Sequence, residues 1–204
     1  KKAKTNRPIT YNDIVLLTPT RKNNLVILDV FKQFGIPMAV NDAQNYFQAT
    51  EIQTVVSLLQ IIDNPYQDIP LVAVLRSPIV GLTEDQLAEI RLANRSSDYY
   101  DAVLDYHGQQ EASPLWQTVD GFLTKLEQWR EEARRLPIPT LLWQIYEDTA
   151  YLDYVVGLPA GQQRYANLAA LVHRAEKYEK SSFRGLYQFI RFIEKMQEKN
   201  KDLA

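Results

Sequence analysis

The stretch from Asp63 to Leu82 constrains this chain more than any other. It must stop one apolar helix, carry a second and turn into a third. Asn64-Pro65 ends the first, because proline has no backbone N–H and its ring pushes the preceding residue out of helical geometry. Asp68 is placed to cap the next helix, with Ile69 and Pro70 in its first turn. That helix is short and apolar through Leu71, Val72, Val74 and Leu75, and it breaks at Arg76-Ser77-Pro78. Ile79-Val80-Gly81-Leu82 lead to Thr83, which caps a third helix with Gln86 in the reciprocal position of a capping box. Arg76 and Ser77 then stand at the mouth of a tight, glycine-containing turn. Such a corner can offer backbone N–H groups and a basic side chain to a phosphate. The same residues serve as a plain helix–turn–helix corner, since a turn carries no function of its own.

Hydrophobic residues make up 46% of the 204 positions, enough to build a core and too many for a disordered segment. The length suits one large domain, or one domain with a piece of another. Lysine and arginine number 23 against 25 aspartates and glutamates, a formal net charge of -2. That balance argues against gripping nucleic acid by bulk charge, while leaving room for a local basic face. There is no cysteine, so neither a disulfide framework nor a thiolate metal site is available, which fits a reducing cytoplasm. No apolar run reaches the roughly 18 residues of a membrane span. The first residues, Lys-Lys-Ala-Lys-Thr-Asn-Arg-Pro, lack a signal core and an initiator methionine, which points to a piece of a longer chain.

In chain order, Asp13-Ile14-Val15-Leu16-Leu17 reads as a short strand buried on both faces. A helix from about Arg21 to Phe34 follows, ended by Gly35 as a C-cap and by Pro37. Ile36 to Val40 reads as a second strand. This is a parallel crossover unit, and two strands alone do not make a stable sheet. Nothing after Val40 resembles another strand, so the missing strands are expected outside this sequence. From Tyr46-Phe47 onward the pattern is helical. Gln48 to Asp63 carries an apolar stripe of Ile52, Val55, Val56, Leu59 and Ile62. Helices are further predicted from Thr83 to about Asn94, from Asp98 to Tyr106, after Ser113-Pro114, after Thr140, over Tyr151–Val156, Gln162–Glu179 and Ser182–Lys199. Gly157-Leu158-Pro159-Ala160-Gly161 is the most loop-like stretch.

The chemistry of an assembled active site is missing from the pattern. There is no Gly-rich phosphate loop, no dinucleotide fingerprint and no nucleophile elbow. His107 and His173 have no second histidine or carboxylate at ligand spacing. No catalytic residue, metal site or cofactor site is therefore expected within these residues.

Two groups of residues carry a resemblance. Asp13-Ile14-Val15-Leu16-Leu17, Gly35-Ile36-Pro37 and Tyr46-Phe47 with Glu51-Ile52 resemble the later motor segment of superfamily 1 helicases of the UvrD/Rep type. Ile61-Ile62-Asp63-Asn64-Pro65-Tyr66-Gln67-Asp68-Ile69-Pro70-Leu71 and Val74-Leu75-Arg76-Ser77-Pro78-Ile79-Val80-Gly81 are similar to the AddA/RexA family of bacterial ATP-dependent helicase–nuclease subunits. Arg164-x-x-Asn167-Leu168 is similar to a further segment of the same helicases.

The resemblance implies a mainly α fold, a helical 2B-type bundle preceded by a partial β-α-β unit from a split parallel-sheet α/β motor domain. Residues 1–46 would be the first part of domain 2A and residues 47–204 the 2B insertion. The family's next ATPase motif, and the missing strands, would follow Ala204. The parent would be a 3′-to-5′ DNA helicase and exonuclease of double-strand-break repair and recombination, using ATP and Mg²⁺ and working with an AddB/RexB-type subunit. This piece would contribute duplex-DNA contacts and motor regulation, or alternatively act as a helical scaffold for subunit contacts without DNA binding. The residue-by-residue match assigns DNA contact to Arg76, Ser77, Gly81, Leu82 and Thr83, with the N–H groups near Gly81 meeting phosphates. It assigns Thr18 and Arg21 to the neighbourhood of the tracked single strand. The chain departs from the family in having one glycine in the turn, Val80-Gly81-Leu82, and no arginine directly after the first predicted strand.

Overall fold

A computed structural model describes residues 7–18, 27, 30–31, 34–38, 46–109, 112–180 and 185–201. It divides into two units, Lys1–Ala43 and Gln44–Ala204.

In the first unit Tyr11–Asp13 form a single 3-10 turn, with Asp13 accepting from the Thr10 N–H at 2.9 Å and from the Arg7 guanidinium. Asp13 thus ends a turn instead of starting a strand. Ile14 has an extended backbone, but Ile14 to Leu17 belong to no strand and are 53–88% exposed. Ile36 to Met38 are not in a strand either, and Ala39 and Val40 lie outside the described residues. The expected β-α-β unit is therefore not seen among the described residues. The physical reason is that a strand exists only through its ladder partners. The end of the intervening helix is as expected. Ile27, Val30 and Phe31 are helical, Gly35 has φ 67°, and Ile36 N–H returns to Phe31 O at 2.9 Å, a Schellman cap.

The second unit is all helix among the described residues. The helices are α1 (Thr50–Asp63), α2 (Asp68–Arg76), α3 (Glu84–Ala93), α4 (Tyr99–Gly108), α5 (Pro114–Ala133), α6 (Ile138–Thr149), α7 (Tyr151–Val156), α8 (Gly161–Glu179) and α9 (Leu186–Lys201). The mainly α class is thus the observed one. Helix α1 is the centre, with α2, α5, α8 and α9 all packed on it. Leu58 and Ile61 are as buried as the predicted stripe of Ile52, Val55, Val56, Leu59 and Ile62, so α1 is covered nearly all round. Trp129 of α5, Tyr146 of α6 and Phe189 of α9 complete the core around it.

Among the described residues a side-chain cap opens α3 and α5, as the sequence signals require. Thr83 and Gln86 form the capping box of α3, and Ser113 Oγ accepts from Trp116 N–H at 3.0 Å with Pro114 at the first position of α5. Three starts differ from expectation. Helix α9, expected from Ser182, which lies outside the described residues, begins at Leu186 after Gly185 with φ 97°. Helix α6 begins at Ile138, with Pro139 tolerated in its first turn and Thr140 already inside it. Asp68 does not cap its own helix. It accepts from Tyr99 N–H at 2.8 Å and so caps α4, 31 residues away.

Candidate functional site

The corner between α2 and α3 brings Arg76, Ser77, Gly81, Leu82 and Thr83 together. The turn is tied by its own backbone. Ser77 O accepts from Val80 N–H at 3.1 Å and from Gly81 N–H at 2.7 Å, and Leu82 N–H reaches Leu75 O at 2.9 Å. Thr83 N–H donates to Gln86 Oε1 at 2.9 Å and Ile79 N–H to Ser77 Oγ at 3.3 Å. Gly81 has φ 82°, a conformation that an L side chain rarely adopts. The amides near Gly81, expected to meet phosphates, are thus already engaged inside the turn. The side chains divide as well. Ser77 and Leu82 are buried, while Arg76, Gly81 and Thr83 face solvent. Arg76 Nη2 lies 2.8 Å from Glu84 Oε1 at the start of α3. What this corner presents outward is one guanidinium with a carboxylate beside it. Thr18, in the first unit, is exposed, and Arg21 lies outside the described residues.

A second constellation escaped residue-by-residue reading. Glu51 of α1 is almost fully buried, at 3% exposure. Its Oε2 accepts from Arg164 Nη1 at 2.7 Å and its Oε1 from Asn167 Nδ2 at 2.7 Å, both on α8. Arg164 Nε also donates to Pro159 O at 3.0 Å, which ties down the loop before α8. Tyr46 O–H donates to Asn167 O at 2.9 Å, and the Arg174 guanidinium sits 4.6 Å above the Tyr46 ring and 5.4 Å from that of Phe47. Burial pushes the Tyr46 phenol far above its ordinary range, with Arg174 opposing. Tyr146 is raised too, again by burial, and its O–H reaches Leu168 O at 3.3 Å. The motif residues Tyr46-Phe47, Glu51-Ile52 and Arg164-x-x-Asn167-Leu168 therefore meet in one place. In the sequence these residues stood out as separate segments of the helicase resemblance, and spacing could not pair them.

A family model described as the UvrD-like helicase C-terminal domain matches residues 1–204. The chain belongs to that family. Curated relatives are similar to this UvrD-like chain along its whole length. A protein from Enterococcus faecalis, named as the A subunit of an ATP-dependent helicase/nuclease, is 66% identical, covering 100% of this chain and 16% of the relative. Proteins of the same name from Lactiplantibacillus plantarum and Bacillus licheniformis are 58% and 49% identical, covering 97% and 100% of this chain. The chain spans 16% of the Lactiplantibacillus plantarum relative and 17% of the Bacillus licheniformis one.

Within the UvrD-like chain, no three His, Cys, Asp or Glu side chains stand together as metal ligands among the described residues. The sequence carries no Gly-rich phosphate loop. No described helix is long and apolar enough to cross a membrane. The clefts are shallow. One of about 270 Å³ lies between the turn residues Ile79 and Val80 and the α5–α6 face of Lys125, Trp129 and Asp148. There burial pushes Asp148 up, but hydrogen bonds from Trp129, Gln144 and Lys125 outweigh it and hold the carboxyl below its usual range.

Proposed function

We propose that residues 47–204 form the 2B-type helical lobe, and residues 1–46 the first part of domain 2A, of an AddA-type ATP-dependent helicase/nuclease. The longer protein is then a cytoplasmic 3′-to-5′ DNA translocase and exonuclease of double-strand-break repair and recombination. It works with an AddB/RexB-type subunit, while its ATP, Mg²⁺ and nuclease chemistry belong to other parts of the chain. The observation that carries this reading is 49–66% identity, over the whole of this chain, to proteins that bear that name. The exposed apolar run Ile14 to Leu17 supports it, because four such residues call for the cover of a sheet.

The lobe's part is to hold duplex DNA without regard to sequence and to regulate the motor. Arg76 makes the phosphate contact, Gly81 and Thr83 border it, and Ser77 and Leu82 shape the turn from inside. Thr18 and Arg21 lie near the tracked single strand. The test is fluorescence anisotropy of this chain on a duplex with a 3′ single-stranded tail, across about 50 to 200 mM salt. Affinity should fall steeply with salt, and Arg76→Ala should weaken it and flatten the salt slope by about one. No binding at low salt, together with unchanged unwinding by the full-length protein carrying Arg76→Ala, overturns the site.

A second reading is a helical scaffold that contacts a partner protein and no DNA. It is favoured by the engaged amides of the turn and the net charge of -2. Capture of the AddB/RexB-type partner without DNA, unaffected by Arg76→Ala, supports it.

A further inference from the structure

Arg76 closes α2 and Glu84 opens α3, so their ion pair spans the mouth of the turn. The side chains are 50% and 80% exposed, at 2.8 Å separation. The turn between them is held by the bonds of Ser77 O to Val80 and Gly81, and of Leu75 O to Leu82. That framework keeps Glu84 within reach of Arg76 without ordering a loop. A carboxylate offers a guanidinium the same thing a phosphodiester does, a pair of anionic oxygens. With the amides of Ile79 to Thr83 engaged internally, Arg76 is the cationic donor of the corner, and Glu84 already occupies it.

We propose that Glu84 is an intramolecular competitor for the anion site at Arg76, a contact that a phosphodiester backbone must displace before the lobe engages a duplex. This rests on the reading of the α2–α3 turn as a DNA contact. Solvent-exposed pairs of this kind are worth at most about 1 kcal/mol, so the mask attenuates binding without abolishing it. It also makes engagement graded. Where phosphates are dense the pair opens, and elsewhere it stays closed. Asp85, next along α3, is also exposed, and the ion pair of Arg76 is with Glu84, which makes Asp85 a charge-matched control.

The experiment is equilibrium anisotropy with the 3′-tailed duplex at low salt, on this chain and its variants, each checked for an unchanged melting curve. Glu84→Gln should tighten binding up to about fivefold, with Glu84→Ala moving the same way. Asp85→Asn should change it less, and Arg76→Ala should weaken it. Adding Glu84→Gln to Arg76→Ala should then bring no gain. A gain that survives in the Arg76→Ala background, or an equal gain from Asp85→Asn, means general charge repulsion and overturns the competitor. Unchanged binding by both Glu84 variants, with Arg76→Ala still weakening it, overturns the competitor and leaves the DNA contact standing. Unchanged binding in Arg76→Ala removes the DNA contact itself, and the competitor with it.

Discussion

Glu51 Oε2 and Arg164 Nη1 lie 2.7 Å apart, across 113 residues of chain, and the carboxylate is sealed inside the helical unit. Asn167 takes the other oxygen, so both acceptors of Glu51 are satisfied from one face of α8. A buried ion pair adds little net stability over a well-packed apolar pair, but breaking one side of it is costly. The cluster therefore fixes how α8 sits on α1.

Glu51→Ala should accordingly destabilise the unit by about 3 kcal/mol, the low end for a buried pair because Arg164 keeps some solvent access. Asn167→Ala should cost about 1.5 kcal/mol, the loss of one hydrogen bond to a charged acceptor. Replacing both charges, Glu51→Leu with Arg164→Met, should recover much of the loss. Urea unfolding midpoints decide this. A double variant no more stable than Glu51→Leu alone contradicts the account.

The junctions before α7 and α8 store strain. Ala150 and Ala160 have φ of 49° and 57°, left-handed conformations that cost a residue with a Cβ about 1–2 kcal/mol. Changing either to glycine relieves this at a cost of about 0.5–1 kcal/mol in chain entropy. Each change should leave the unit equally stable or slightly more so. At Gly161 a Cβ would run into the Val156 carbonyl, which is backbone and cannot swing away. Gly161→Ala should cost at least about 2 kcal/mol. Thermal melts of the three variants test the opposite signs.

Tyr99 makes the unit sensitive to alkali. Burial pushes its phenol up to about 12, against the opposing Arg91 guanidinium 4.8 Å over the ring, and its O–H donates to Leu87 O at 2.7 Å. Because the folded value lies above the ordinary 10.0, the unfolded chain loses this proton first. The stability tied to Tyr99 is complete below pH 10 and is lost as pH rises towards about 12. Tyr99→Phe should lower stability at neutral pH by about 1 kcal/mol and flatten the alkaline decline. Unfolding midpoints measured across that window should show both effects, and parallel curves for the two proteins would refute the assignment.

The α2–α3 turn should respond to each of its ties separately. Ser77 Oγ donates to Val74 O at 2.7 Å and receives Ile79 N–H, so Ser77→Ala should cost about 1–2 kcal/mol. Thr83→Ala removes the cap of α3, worth about 1 kcal/mol. Gly81→Ala meets no neighbour within 4 Å, so its cost of about 1 kcal/mol is conformational alone. Amide exchange localised to residues 75–87 should rise in all three variants.

Much of the helical structure was legible locally. Pro65, Thr83 with Gln86, Ser113-Pro114 and Gly35 each act on their immediate neighbours, and each does in the structure what its chemistry requires. The turn that gathers Arg76, Gly81 and Thr83 was legible for the same reason. The burial of Leu82 and the engagement of the turn's amides were not, because they depend on Leu75 and Ser77 closing the loop from inside. The apolar run Ile14 to Leu17 read as a strand because its pattern is that of one, but pattern supplies no ladder partner.

By itself, the amino-acid sequence determined that the second unit is helical, where several of its helices begin and end, which face of most of them is apolar, and that no Gly-rich phosphate loop is present. Those properties follow from interactions a few residues long. Tertiary structure alone decided that α1 is enclosed on nearly all sides, that Asp68 caps α4 instead of α2, and that Glu51 pairs with Arg164. Each of these joins residues dozens to more than a hundred positions apart. Such contacts form only between surfaces that meet once the chain has folded: release of water from apolar side chains drives the enclosure of α1, while the desolvation of Glu51 is a cost that Arg164 and Asn167 offset.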